Sequence, residues 1–338
     1  MSQLEVVCAI MAGGAGTRFW PVSTEQKPKQ FLPLVGSRTL LQASFDRVRP
    51  LCGPERTLVL TNERYVDEVR GQLPELPSSS ILGEPVRRDT AAALALAALL
   101  FRRLYGNPIM LVLTADHWIQ PRDAFVEALR SAARGAHENG RLYTFAIPPT
   151  RPETAYGYLE LGSPLPAADG QRHHELLSFR EKPDRETARK LVADGRHYWN
   201  SGMFCWSVAA LLAELQVHLP DHLEHLSPAV EAYETPDWPR RLSEAMAPLR
   251  SVSIDYAVME KAERRAAVVA GFEWSDVGGW AALRPFLPDD AGGNAFRGRV
   301  ASRDARENLV FAEDPEELVA LVGVDDLVVV RSGSRTLV

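Results

Sequence analysis

Cysteine is scarce in this chain. Cys8, Cys52 and Cys205 are the three present in 338 residues, an odd number with no CxxC pair and no zinc-type histidine spacing, which argues against a disulfide framework or a structural zinc and leaves packing thiols. Long apolar runs are missing too: no stretch approaches the roughly 20 residues that cross a bilayer, so no membrane partner is expected. The amino terminus, MSQLEVVCAIMAGG, has no basic region ahead of its apolar stretch, which ends in glycines, so it reads as a first strand and not a signal peptide. A cytoplasmic protein is expected. Nor is there an excess of positive charge. Lys plus Arg number 38 against 44 Asp plus Glu, a net charge of −6, which excludes a broad electrostatic footprint for nucleic acid and leaves any anion to a local cluster of cations. Finally, the glycine stretch AGGAGTRFWPVSTEQKPKQFLPL (12–34) lacks the third glycine of a dinucleotide fingerprint, position 19 being Phe, and lacks the Gly-Lys-Ser/Thr of a P-loop.

What remains is an ordinary globular composition, 46% hydrophobic and 24% charged, in a chain long enough for two domains or one large one with an appendage. Apolar runs at 6–12, 57–61, 81–84, 109–116 and 142–147 alternate with helix-like segments, the pattern of a mainly parallel sheet covered on both faces. The segment 90–104 is apolar nearly all round and should be a buried helix capped by Asp89 or Thr90. From about 150 the pattern loosens into an α+β half joined to the same sheet, in which 163–175 has the composition of an exposed loop. After 291 short strands and turns replace helices. The expected division is a domain over 1–290, in two halves that meet at about 150, then a small β-rich appendage over 291–338.

Chemistry concentrates first at the glycine stretch. Gly13, Gly14 and Gly16 directly follow the first strand, where main-chain N–H groups can turn toward an anion with no Cβ in the way. Alone, such glycines are as well explained by a tight strand-to-helix turn. Arg18, Lys27 and Lys29 change the balance, because fixed cations beside a glycine loop suit a polyphosphate better than a dinucleotide, which leans on backbone donors and a helix dipole.

AGGAGTRFWPVSTEQKPKQFL resembles the signature of the sugar nucleotidyltransferases, and its TRFWP and PKQFL elements are most similar to the mannose-1-phosphate guanylyltransferase (GDP-mannose pyrophosphorylase) family. Further matches follow in family order: EPVRRDTAAALALAA (84–98), LTADHWI (113–119), AYGYLEL (155–161), FREKP (179–183), YWNSGMF (198–204), SIDYAVMEK (253–261) and WSDVGGW (274–280). The resemblance implies a Rossmann-like α/β enzyme that joins GTP and mannose 1-phosphate into GDP-mannose and pyrophosphate with Mg²⁺. Such a reaction brings two anions together. Each pair of unit charges about 4 Å apart repels by about 1 kcal/mol in water and about 4 kcal/mol at a protein-like dielectric. The site therefore needs cations and a metal more than a covalent nucleophile.

Within that resemblance Arg18 and Lys29 would neutralise the pyrophosphate, and the backbone of Gly13 and Gly14, with Gly16, would approach the nucleotide. Asp116, ending the run LVLTAD, and Asp276, on the glycine-flanked turn WSDVGG, would hold the metal; magnesium takes one or two protein carboxylates and fills its other positions with phosphate and water. Taken alone, Asp116 reads more readily as a cap for the helix after it, by roughly two to one. Lys182 would take the sugar phosphate and Glu181 sugar hydroxyls, although Glu-Lys is most often a surface ion pair. Gly157, Asn200 and Asp255 would contact the sugar; without the resemblance Asn200 is a turn residue and Asp255 a helix cap. Arg88, Asp89 and Thr90 lie where the nucleotide would sit. An acidic group accepts the N1–H and N2–H₂ of guanine and repels adenine, a task within reach of Asp89. The family more often has Asn at 89, Pro where Ala92 stands and Pro where Thr114 stands.

Two other readings stay open here: a pyrophosphorylase for another sugar 1-phosphate or nucleotide, and a non-catalytic sugar-nucleotide sensor. Lacking the cupin-type isomerase segment that some relatives carry, the chain is expected to be monofunctional. Its apolar tail is a candidate contact for a homodimer.

Overall fold

The computed structural model describes residues 4–14 and 16–338; Met1–Gln3 of the amino-terminal reading and Ala15 of the glycine stretch lie outside the described residues. In chain order the elements are β1 (Val6–Met11), α1 (Leu40–Val48), β2 (Thr57–Asn62), α2 (Val66–Gln72), β3 (Ile81–Glu84), α3 (Asp89–Tyr105), β4 (Ile109–Thr114), β5 (Trp118–Gln120) and α4 (Arg122–Asn139). Next come β6 (Leu142–Ile147), β7 (Tyr158–Leu165), β8 (His173–Arg180), α5 (Arg185–Ala193), β9 (His197–Ser207), α6 (Val208–His218), α7 (Pro220–Val230) and α8 (Trp238–Met246). After β10 (Arg265–Val269) and β11 (Glu273–Ser275), the chain ends in β12 (Ala295–Arg297), β13 (Arg299–Arg303), β14 (Leu309–Ala312), β15 (Leu318–Val322), β16 (Val328–Ser332) and β17 (Arg335–Leu337).

These elements pack as two compact units. One holds the segment up to Gly13, Ser44–Thr114 and Ile119–Trp274; the other holds Gly14–Ala43, Ala115–Trp118 and Ser275–Val338. The first is an α/β unit built on a nine-stranded mixed sheet, in the order β3-β2-β1-β4-β9-β6-β10-β8-β7, with β7 pairing back onto β9. Its β3-β2-β1-β4 half is parallel throughout, as the near-continuous apolar runs require of strands covered on both faces. The helix expected at 90–104 is α3, and every residue from Ala91 to Phe101 is buried. Small alanines alternate with leucines there, so the helix can pack closely on all sides.

Three local expectations need correction. Neither Asp89 nor Thr90 caps α3. Asp89 sits at φ 64°, which turns its carboxylate onto the adjacent Thr90 N–H at 2.7 Å, while Thr90 Oγ1 accepts from the Ile254 N–H at 2.8 Å. The exposed loop expected at 163–175 is narrower than its composition suggests: β7 runs through Leu165 and β8 begins at the buried His173, so the loop proper is 166–172, most of it exposed. Third, Asn200 is not a turn residue but a buried member of β9.

The second unit is the β-rich one. Strands β12, β14 and β16 stack in parallel, β13 and β15 stack likewise, and β17 closes on β16. Asn294 and Asn308, both fully buried, form a ladder between rungs, Asn308 Nδ2 donating to Asn294 Oδ1 at 2.8 Å. The unit's core joins Leu309, Phe311 and Val330 of these rungs to Phe19, Leu32, Leu34, Val277 and Trp280. Among the described residues no helix is long and apolar enough to cross a membrane.

Candidate active site

Lys29 organises the chemistry of the second unit. It follows Pro28 in a short helical turn and is 8% exposed, an unusual place for an ammonium group. Its surroundings explain it: Lys29 Nζ meets Asp116 Oδ2 at 2.9 Å and donates to the main-chain oxygens of Asp276 at 2.7 Å and Val277 at 3.3 Å. Burial opposes ionisation of Asp116, but the Lys29 and His117 charges outweigh it and hold the carboxyl below the ordinary range. Asp116 is thus a paired carboxylate at the end of β4 and not a helix cap; Pro121 occupies the position ahead of α4. Val277 has φ 47°, a costly conformation for a β-branched residue, and the strained turn is held by Lys29 on its carbonyl and by Ser275 Oγ accepting its N–H at 3.1 Å.

The glycines have distinct tasks. Gly16 lies at φ 55°, and a Cβ there would fall 2.6 Å from the Lys29 nitrogen, so only glycine lets the two segments close. Gln30 Nε2 donates to Gly14 O at 2.9 Å, fixing the loop from the same turn. Arg18 is exposed beside this loop. Lys27 is not part of the cluster: it points to Glu313 at 3.7 Å, an exposed pair. Asp276 lies two residues before Gly278, where a Cβ would stand 3.0 Å from Asp276 Oδ2.

A second cluster belongs wholly to the first unit. Gly157, just ahead of β7, has its open side filled by Glu181; a Cβ there would lie 2.4 Å from Glu181 Oε2. Glu181 pairs with Lys182 at 2.8 Å, and this hydrogen bond, with the Glu181 charge adding to it, raises the Lys182 ammonium above the ordinary range. Lys182 is exposed and sits at φ 43°, directly after β8. The helix behind it is capped separately by Asp184, whose carboxylate accepts from the Thr187 N–H at 2.9 Å. Asn200 donates to Asp255 Oδ1 at 3.0 Å while its own Oδ1 accepts from Thr144 Oγ1 at 3.0 Å. Burial, with the Glu181 charge adding to it, pushes the Asp255 carboxyl up to about 7. The capping alternative for Asp255 fails, since Ser253 Oγ takes the free N–H of that turn, from Tyr256 at 3.3 Å.

The sequence reading missed Glu84. It ends β3, is 8% exposed, and lies against Gly13, where a Cβ would stand 3.6 Å from its Oε2. Burial pushes its carboxyl up to about 7, the nearby Arg87 only partly countering this. The available signal was a carboxylate closing an apolar strand at the carboxyl edge of the sheet, where ligands collect in open α/β folds. The same region reassigns its arginines. Arg87 Nη2 donates to Gly13 O at 3.0 Å, whereas Arg88 reaches the Met246 and Ala247 carbonyls at the end of α8, at 3.1 and 2.5 Å. Asp89 is exposed.

Comparison with known proteins places the chain in a family. Residues 7–291 match the model of the nucleotidyl transferase family. The chain is 42% identical over 332 residues to a mannose-1-phosphate guanylyltransferase of Escherichia coli, covering 97% of this chain and 69% of that one. A mannose-1-phosphate guanylyltransferase of Sinorhizobium fredii is 40% identical over 338 residues, 99% of this chain and 65% of its own. The chain therefore spans about two thirds of the length of these curated relatives. A crystal structure described as a mannose-1-phosphate geranyltransferase from Thermus thermophilus superposes with a TM-score of 0.86 at 36% identity, over 99% of this chain and 94% of that one. With the family model over most of its length and relatives of this identity end to end, the chain belongs to the nucleotidyl transferase family.

Proposed function

We propose that this chain transfers a guanylyl group from GTP to mannose 1-phosphate, giving GDP-mannose and pyrophosphate. The observation that carries the reading is Lys29, a buried cation bound at once to the Asp116 carboxylate and to the main chain at Asp276 and Val277. That arrangement suits charged oxygens that must be neutralised as a phosphoryl group moves. Lys29 and Arg18 neutralise the leaving pyrophosphate, while Gly14 and Gly16 let the chain come close to phosphate. Asp116 and Asp276 fit a magnesium ion, which takes one or two protein carboxylates and completes its shell with phosphate and water. When bound, that ion supplies positive charge to the reacting oxygens. Lys182 takes the phosphate of the sugar, and Glu181, Asn200, Asp255 and the Gly157 backbone take its hydroxyls. Turnover of four nucleoside triphosphates against several sugar 1-phosphates, read by pyrophosphate release, tests the assignment. GTP with mannose 1-phosphate should dominate, and Asp276→Asn should lose at least about 10³-fold in kcat with its Tm kept. Faster turnover of another pair would reassign the substrates, and an active Asp276→Asn would remove that residue from the metal.

Base choice falls to Glu84, with Asp89 and Thr90 at the start of α3 nearby in sequence. A carboxylate beside Gly13 that is 8% exposed accepts the two guanine donors where solvent competes little, which the exposed Asp89 does not offer. Glu84 must be ionised to accept both. Its folded pKa near 7 lies above the ordinary value of 4.5, so below pH 7 the free protein holds a proton that GTP binding must expel. The KM for GTP should then rise about tenfold per unit as pH falls below 7, and Glu84→Gln should flatten that slope at a raised KM. A slope that survives in Glu84→Gln assigns the titration elsewhere.

A further inference from the structure

Away from both clusters, α4, β6, β8 and the β7–β8 turn enclose a chain of polar groups that none of the roles above uses. Ser131 of α4 is 1% exposed, and its Oγ lies 2.6 Å from Nε2 of His173, itself 3% exposed at the start of β8. On the other side Ser131 bonds the carboxylate of Asp169, in the turn, which also pairs with Arg134 of α4. His173 Nδ1 lies 3.4 Å from the Tyr143 hydroxyl on β6, and that hydroxyl accepts from Asn139 Nδ2 at 2.7 Å. A carboxylate only accepts, so the Ser131 O–H donates to Asp169 and its lone pair takes the His173 Nε2–H. Nδ1 is then the acceptor for the Tyr143 O–H. Every donor points one way along the chain, an order that requires a neutral imidazole. Burial holds His173 below its ordinary range, in keeping with that form.

Serine, histidine and aspartate suggest a hydrolytic triad, but here the carboxylate meets the serine and not the imidazole, and the serine and histidine are closed to substrate. The position of the chain in the fold indicates another task. Strands β7 and β8 form a hairpin about 26 Å long. One end is the turn held by Ser131 and Arg134; the other end carries Gly157, ahead of β7, and Glu181 and Lys182, after β8. The hairpin's own ladder shifts register twice, between Glu160 and Leu161 and between Leu161 and Pro164. On its other edge the β8–β10 ladder covers His173, His174 and Glu175, and beyond it Arg265 of β10 donates to the Leu177 carbonyl at 3.1 Å. A strand with so irregular a ladder needs an external reference, since a slip of one residue turns every side chain to the opposite face. Gly135 shows how tightly the reference is built: a Cβ there would lie 2.5 Å from the Tyr143 hydroxyl.

We infer that Ser131 and His173 are positioning residues that pin the register of β8 to α4 and so deliver Glu181 and Lys182 to the sugar phosphate. The inference rests on the sugar-phosphate reading of that cluster. Ser131→Ala removes the central hydroxyl, and Arg134→Gln, at a half-exposed site that tolerates change, loosens the same anchor from outside. In both, the KM for mannose 1-phosphate should rise, about fivefold or more for Ser131→Ala and less for Arg134→Gln, with kcat and the KM for GTP within about twofold of the parent. Amide hydrogen exchange at 176–180 should quicken about tenfold or more, while α3 stays protected. Unchanged exchange in β8, or the two KM values rising together, would overturn the pin. Exchange needs no turnover, so if the parent protein fails to use mannose 1-phosphate, the substrate reading falls while faster exchange still upholds the pin's register role.

Discussion

Lys29→Met is expected to lower kcat/KM by about 10³-fold or more and to lower Tm as well, and the two losses should be separable. The activity loss follows from removing a fixed cation at developing phosphate charge, for which single preorganised donors contribute about 3–4 kcal/mol. The stability loss has a different origin. Without Lys29, Asp116 keeps a charge with no ammonium partner, and the strained Val277 turn loses the donor on its carbonyl. Removing one partner of a buried pair costs about 3–5 kcal/mol, and the Asp116 side chain, 32% exposed, places this case toward the lower figure. For a unit of about 100 residues, a Tm lower by about 12 °C or more follows. Lys29→Met combined with Asp116→Asn should recover much of the Tm, because the stranded charge is gone, and none of the activity. If the double variant regains turnover, Lys29 serves only to neutralise Asp116 and the phosphate role is wrong.

The behaviour of Lys29 also shows what a linear sequence reveals and what it hides. The strands of the parallel half were legible because each is buried on both faces and therefore apolar without interruption, as in VVCAIM and IMLVLT. Helix α3 was legible for the same reason. Lys29, Asp116 and Asp276 were legible as residue types beside glycines, but their meeting at one ammonium was not, since 87 residues separate the first two and 160 the last two. Glu84 escaped notice because a carboxylate ending a strand resembles any turn residue until its burial is known. The β7–β8 turn misled in the opposite way. Its prolines, glycine and charges are those of a loop, and only Ser131 and Tyr143, from two other elements, show why His173 is buried there. The caps misled too, because Asp89 takes a left-handed backbone that no propensity assigns to the first turn of a helix. Local pattern fixes the period of an element; which polar groups it hides depends on partners far along the chain.

The second large effect is expected from one methyl group. Gly157→Ala should raise the KM for mannose 1-phosphate by about 10- to 100-fold while leaving the fold and the KM for GTP nearly unchanged. Gly157 lies outside the left-handed region, so alanine brings no backbone strain of that kind, and its carbonyl still accepts from the Asn200 N–H. The difficulty is local: the new Cβ would stand 2.4 Å from Glu181 Oε2 and 3.4 Å from Asn200 Cβ. Asn200 is buried and tied to Thr144 and Asp255, so it holds its place and the Glu181 carboxylate swings away instead. That movement costs little in stability, because a side-chain end is displaced and not the backbone. It is costly for binding: Glu181 is the ion partner of Lys182 and the acceptor proposed for sugar hydroxyls, and hydrogen bonds to a charged group contribute about 1.5–3 kcal/mol each. The same displacement takes a negative charge away from Asp255, so the Asp255 carboxyl should titrate lower than about 7 in the variant. Two independent readings thus report one movement, a sugar-phosphate titration and the pH at which Asp255 ionises. If Gly157→Ala binds mannose 1-phosphate as the parent does, Glu181 does not contact the sugar, and the cluster around Asn200 holds the hairpin root without recognising a substrate.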